Sequence, residues 1–365
     1  MKRYIGQQET MAPSRSMKRT DRMIRAVVSR GYHGGREDPQ IMTGKRPAQC
    51  ILVGIVASVL IMTPTGTISG QDVHERAGTT SVPLLNLGFG PAGTGLAEGL
   101  TAWSGIPDAI WWNPAAAILF VAEQGSILSL NGARLLGETS STSLLYGWGS
   151  ARAGFSVLAS FSGLTGIEVR EDLATPEPLS TTSAYDLTTG VSVGLPFAGG
   201  GIGFALKGVY EKLHYADAFG FALDAGVQVP LPGEFLTGGV SVRNLGRMGI
   251  LDQERLELPW SVAVGAALAR PLELGSWLFN AGADIWKPAD DWTQLRLGVE
   301  ASHDLLRLRL GTRQGTGWRT LSAGFGLALG GWRFDYAYVY DPDPDRRFTG
   351  SIQRLGIQIF IDDRN

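Results

Sequence analysis

From Gly125 to Ile361 the chain alternates apolar residues with small or polar ones at a period of two. The clearest run is Phe219, Phe221, Leu223, Ala225, Val227 and Val229, whose alternate neighbours are Gly220, Ala222, Asp224, Gly226 and Gln228. A strand sends these two sets to opposite faces, one greasy and one small or polar. Leu295, Leu297, Val299 and Ala301 alternate in the same way with Gln294, Arg296, Gly298 and Glu300, and Leu306, Leu308 and Leu310 with Arg307 and Arg309. Near the C-terminus Trp332, Phe334, Tyr336, Tyr338 and Tyr340 share one face while Arg333 and Asp335 take the other. A water-soluble sheet would rarely expose such a stripe.

The pattern predicts fourteen strands, near 125–133, 142–149, 151–161, 184–194, 200–211, 218–229, 235–244, 259–269, 277–287, 293–302, 305–313, 318–329, 331–340 and 350–361. Most match the roughly 9 to 11 residues of a tilted membrane-crossing strand. Connections alternate between tight ones, such as 149–151, 230–234, 302–304 and Gly330, and long charged ones at 163–183, 245–258 and 341–349. Outer-membrane barrels have this asymmetry, with short turns on the periplasmic side and longer loops outside. The fold class is therefore all-β: a transmembrane antiparallel barrel of about fourteen strands, closed because a bilayer leaves no partner for an open edge. A soluble β-sandwich would explain the alternation, but not the signal peptide described below, the low lysine content and the aromatic-rich outer face together.

Composition agrees: charged residues are 18% of the chain, against roughly 25% in soluble domains. Fifty glycines suit strands and tight turns better than helices. The single cysteine, Cys50, excludes an intramolecular disulfide and a Cys-based zinc site.

Residues 1–46 hold 11 basic and 4 acidic side chains, whereas residues 71–365 hold 21 basic and 30 acidic ones. An acidic mature chain argues against a nucleic-acid surface. Lys45 and Arg46 precede the apolar run Cys50 to Met62, which is shorter than a spanning helix but right for a signal peptide cleaved near Ser69 or Gly70. The expected organisation is a basic extension over 1–46, with Met42 as an alternative start, and a signal region over 47–70. A hatch over 71–123, a barrel over 124–361 and a tail over 362–365 follow. The expected location is the bacterial outer membrane, with its lipid as surroundings.

Residues 83–123 lack alternation and are rich in glycine, as a plug packed inside a lumen would be. Pro114 suits the first turn of a short helix capped by Asn113. Leu87, Gly88, Gly90, Gly93 and Gly95, then Asp108, then Trp112-Asn113-Pro114-Ala115, occur in order. Leu231-Pro232-Gly233, Val242-Arg243-Asn244-Leu245-Gly246, Leu258-Pro259 and Asp335-Tyr336-Ala337-Tyr338 follow. This ordered set resembles the PorV/PorQ family of outer-membrane proteins, within the FadL-like barrels. It departs from the family pattern at Glu98-Gly99, where Gly-Gly is common, and at Ile106-Pro107-Asp108, where an Asp-Asp pair is common. The resemblance implies a hatch motif at Trp112, Asn113, Pro114 and Ala115. It also implies one of two jobs: shuttling secreted proteins that bear a C-terminal sorting domain, in a type IX-like export system, or admitting a hydrophobic small molecule. The export role is the first expectation and uptake the alternative.

Other motifs carry less. Gly88 to Gly93 satisfies GxGxxG without the βαβ setting a nucleotide needs, so the glycines read as close-packing positions. Asp341, Asp343 and Asp345 lack the glycine and closing glutamate of a calcium loop, and Arg346 and Arg347 follow at once. Trp103, Trp111 and Trp112 could stack a ligand, while Trp260, Trp277, Trp318 and Trp332 suit an interface belt. No catalytic Ser, His and acid set is recognisable, so neither enzyme activity nor a cofactor or metal is expected. Asp284, Arg296, Glu300, Arg307, Arg309 and Asp335 should face the lumen, as an ion-pair ladder in preference to a selectivity ring.

Overall fold

A computed structural model describes residues 74–135, 139–170, 177–251, 257–341 and 351–361. The expected extension, signal region and tail lie outside these residues, as do Asp343, Asp345, Arg346 and Arg347.

Fifteen strand segments follow one another: β1 (Ser126–Arg134), β2 (Ser140–Ser150), β3 (Ala153–Val169), β4 (Ser180–Phe197), β5 (Gly200–Leu213), β6 (Ala216–Pro230), β7 (Leu236–Met248), β8 (Ser261–Leu268), β9 (Leu272–Leu274), β10 (Trp277–Pro288), β11 (Gln294–His303), β12 (Leu306–Gly315), β13 (Trp318–Leu329), β14 (Trp332–Tyr340) and β15 (Ile352–Ile361). β8 and β9 both pair with β10, so they form one stave interrupted around Pro271, which has no N–H to give a ladder. The other staves pair antiparallel in chain order, and Ser126↔Ile361 through Arg134↔Gln353 joins the last to the first. The result is a closed barrel of fourteen antiparallel staves, which leaves no open edge.

The alternation decides what each face meets. Phe219, Phe221, Leu223, Leu206, Val191 and Leu310 point out of the barrel and are exposed, while Asp224, Lys207, Arg309 and Ser192 point in and are buried. Aromatic residues gather toward both ends of the outer face. Tyr146, Trp148 and Phe155 stack near the short-turn end, and Phe161, Tyr185 and Tyr210 adjoin one another toward the other. Leucine and valine fill the band between, the arrangement a bilayer with two interfaces requires.

The two-residue turn Ala198-Gly199 has positive φ at both positions, the type I′ geometry that matches strand twist. The long connection expected at 163–183 is shorter: β3 runs on to Val169 and β4 starts at Ser180, leaving 170–179. Ser and Thr residues extend this hairpin across a bulge between Thr165 and Ile167, because strand pairing does not need apolar side chains above the membrane. The second long connection likewise begins later than expected, after Met248.

The hatch runs down the inside. Thr80 bridges Glu257 in the β7–β8 connection, so this part of the chain lies at the long-loop mouth. A 3-10 turn (Pro83–Asn86) and three short helices follow: α1 (Pro91–Gly95), α2 (Ala109–Trp112) and α3 (Ala116–Gln124). Gly125, with φ of 80°, ends α3 and turns the chain into β1 at the short-turn end.

Candidate functional site

The apolar side chains of the hatch do not simply fill the lumen; they separate its cations. Lys207 of β5 sits 3.8 Å from the ring centre of Trp111, and Arg243 of β7 lies between Trp111 (5.1 Å) and Trp112 (4.3 Å). Arg296 of β11 then lies between Trp112 (4.8 Å) and Trp286 of β10 (3.9 Å). Cation and aromatic ring thus alternate across the barrel from β5 to β10, each contact worth on the order of 0.5–2 kcal/mol when desolvated. Arg243 reaches this position because Asn244, with φ of 57°, opens a bulge opposite Asp224, so that both Arg243 and Asn244 are buried. Lys207 is also paired with Asp224 at 2.5 Å.

Glu98 ties the hatch to the opposite wall. Its carboxylate takes Arg313 at 2.6 Å, Arg354 at 3.7 Å and the Gly88 N–H at 3.0 Å, and its carbonyl takes Arg296 at 3.3 Å. Burial acts against its charge, yet Arg313, Arg354 and Arg296 keep its pKa below the ordinary carboxylate value. Ala97 and Glu98 both have left-handed backbones, at φ of 55° and 60°, a strain of about 1–3 kcal/mol each that these bonds offset. Asp108 serves the neighbouring turn. It accepts the Gly93 N–H at 2.7 Å and so caps α1, whose own cap residue, Gly90, has no side chain to do it. Burial pushes Asp108 up to about 6.

Asn113, Pro114 and Ala115 lie against the inner wall at β5 to β7, and Trp112 beside Arg243 and Arg296. Asn113 donates to the carbonyls of Thr101 (2.8 Å), Val227 of β6 (3.1 Å) and Val240 of β7 (3.4 Å), and its Oδ1 accepts the Ala115 N–H at 3.1 Å. The helix begins later than expected, at Ala116, behind a turn at Pro114 and Ala115. The backbone here lies directly on the wall: a Cβ on Gly154 would stand 2.5 Å from Ala117 O, and one on Gly194 2.7 Å from Ile118 N. Gly203, against Pro114, and Gly226, against Asn113, are closer still. Glycines 298 and 311 likewise receive Leu96 and Ala97.

The six charges expected in the lumen separate into groups. Arg309 pairs with Glu300 at 2.7 Å and Asp335 at 2.5 Å, a triad across β11, β12 and β14 in which Arg309 and Asp335 are buried and which lies behind α1. Asp284 and Arg296 face each other in register but form no ion pair; Asp284 instead accepts the Thr101 N–H at 2.9 Å, because the hatch backbone comes between. Arg307 is half-buried and makes no ion pair among the described residues. A continuous ladder is therefore replaced by one triad and a set of hatch anchors. The sequence reading missed Arg313 and Arg354, although both share strand parity with inward residues, and it treated Glu98 only as a departure from a family pattern.

At the long-loop mouth a cavity of about 460 Å³ opens above the hatch. Asn86 and Leu87 of the hatch, Arg296 and Arg313, and Trp286 and Trp318 line it. Trp318, expected in the outer belt, thus contributes to this interior space. Asp290 and Asp291 lie at its rim, where Asp290 accepts Thr80 Oγ1 (2.5 Å) and Asp291 accepts Gln294 Nε2 (3.0 Å).

No protein-family model matches the sequence, and no curated protein matches it. Solved structures do. A structure of the Pseudomonas putida toluene transporter TodX aligns with a TM-score of 0.53 at 12% identity, covering 74% of this chain and 96% of that one. A second structure of the same transporter gives 0.47 at 10% identity, with the same coverage. The Acinetobacter baumannii outer membrane protein Omp33 gives 0.39 at 8% identity, covering 66% of this chain and 99% of that one. The feature shared with the first of these is the fold, a closed antiparallel β-barrel. The narrower PorV/PorQ resemblance finds no support in these likenesses.

Proposed function

We propose that the chain is a non-enzymatic outer-membrane channel that takes up a hydrophobic small molecule past a displaceable hatch. The observation that carries this is the position of the cavity. It opens at the long-loop mouth, its size falls in the range of small-molecule sites, and its floor is the hatch segment that Glu98 fastens to the wall. A ligand entering there touches Arg296 and Arg313, the side chains that hold Glu98, so binding and hatch release act on the same groups. The fold shared with TodX, a toluene transporter, supports this over the export role that the PorV/PorQ resemblance put first.

Deleting the gene and comparing initial uptake of radiolabelled toluene with the surface proteome tests the proposal. Slower uptake with an unchanged surface proteome is expected. Unchanged uptake with surface proteins sharing a C-terminal domain retained in the periplasm overturns it in favour of the export shuttle.

A further inference from the structure

The cation and aromatic stack that crosses the hatch does not end in packed side chains: Arg296 and Trp286, its last members, line the mouth cavity. Three donor atoms of the lining, Arg296 Nε, Arg313 Nε and Trp286 Nε1, are buried without a hydrogen-bond partner among the described residues. Buried donors left unmatched are costly, and all three can be satisfied only by an acceptor. Charge points the same way. Arg296, though fully buried, meets Glu98 only at its backbone carbonyl and forms no ion pair among the described residues, so its guanidinium has no carboxylate in contact. Asp290 and Asp291 keep their charges at the rim, where Thr80 and Gln294 hold them. Two further aromatic side chains line it, Trp318 and Trp292, the latter meeting His74 edge-on at 5.0 Å.

We infer that this cavity binds a planar aromatic carboxylate, its ring continuing the Trp112–Arg296–Trp286 stack and its carboxylate accepting from Arg296 and Arg313. The inference rests on the uptake reading and names the substrate class at the same site. A hydrocarbon would use the rings but leave the donors unmatched. An aliphatic acid would do the reverse.

Tryptophan fluorescence and calorimetry on the full barrel in detergent, titrated with 2-naphthoate and with neutral 2-naphthamide, test it. Saturable 2-naphthoate binding about tenfold tighter than the amide is expected, the difference between a charged and a neutral acceptor. Arg313→Gln should remove that preference. Because this variant also breaks an ion pair of the hatch, Trp318→Ala, which leaves the Glu98 bonds in place, should independently weaken 2-naphthoate. Equal affinity for acid and amide overturns the inference, as does absence of binding by both. If toluene uptake still depends on the gene in either case, the channel reading survives with a neutral ligand; if it does not, both fall.

Discussion

The hatch meets two kinds of wall. Along β3 to β6 it is received by glycines: α3 and the Pro114 turn lie against Gly154, Gly194 and Gly203 with no room for a side chain between them. Along β11 to β15 glycines still receive the turn at Leu96 and Ala97, but the grip there is electrostatic, from Arg313 and Arg354 on Glu98. Backbone fitted to backbone can only be separated by moving a stave, whereas an ion pair can be exchanged for another acceptor at little net cost. In the proposed uptake mechanism the segment from Asn113 to Gly125 serves as the fixed foot of the hatch, and the ion pairs of Glu98 are the contacts that a ligand exchanges, while the backbone at Leu96 and Ala97 stays seated on Gly298 and Gly311.

The largest expected effect lies on the glycine wall. Gly203→Val places carbons in the Pro114 backbone. Overpacking ordinarily costs about 1–3 kcal/mol, and here it should exceed that because the obstructing atoms are main chain on both sides. Refolding into lipid, followed by the gel mobility of unboiled samples, should show little folded barrel. Gly132→Ala, where an added Cβ meets nothing within 4 Å, should refold normally. Normal refolding of both would mean that the glycines do not seat the hatch.

On the charged wall the effect should be smaller and should appear as leakage. Glu98→Gln leaves buried guanidiniums without their anion, a loss of about 3 kcal/mol for a broken buried pair. The barrel should still fold, while planar-bilayer recordings show more frequent openings. Acid should act in the same direction. The Glu98 pKa is depressed in the folded state, so its contribution is complete above the ordinary value of 4.5 and is lost as pH falls through the lower folded value. Asp108 has the opposite sign. Its pKa is raised to about 6, so its contribution is complete below the ordinary value of 3.8 and is lost as pH rises through about 6. Openings should therefore be rarest in mild acid and increase on either side; a flat profile from pH 3 to 8 would detach the hatch from both carboxylates.

These contrasts show where the sequence was legible. Strand positions were readable because a bilayer outside and a packed hatch inside impose opposite demands on alternate residues, as at Phe221 and Asp224. The extensions of β3 and β4 were not, because Ser and Thr pairs above the membrane carry no such contrast. Within the hatch, Asn113 and Pro114 stood out by their capping chemistry. Glu98 did not, since its partners Arg313 and Arg354 are more than two hundred residues away and only barrel closure brings them together. Asp284 lies buried on the inner side of its strand, but which neighbour it bonds depends on the path of the hatch backbone, which alternation does not encode.

The smallest effect is expected at Arg307, and it separates structural charge from incidental charge on the same strand. Arg309 and Arg307 share a face of β12, yet Arg309 is enclosed between Glu300 and Asp335 while Arg307 is half-buried and has no ion partner among the described residues. Removing the Arg309 charge leaves the buried carboxylate of Asp335 and the partly buried one of Glu300 without their cation, whereas removing that of Arg307 relieves a repulsion with Arg333. Urea titration of the folded barrel should therefore find Arg307→Gln within about 0.5 kcal/mol of the parent and Arg309→Gln lower by about 3 kcal/mol or more. Equal losses would mean that the inner charges act as one continuous ladder after all, and would weaken the division between a fixed and a releasable half of the hatch.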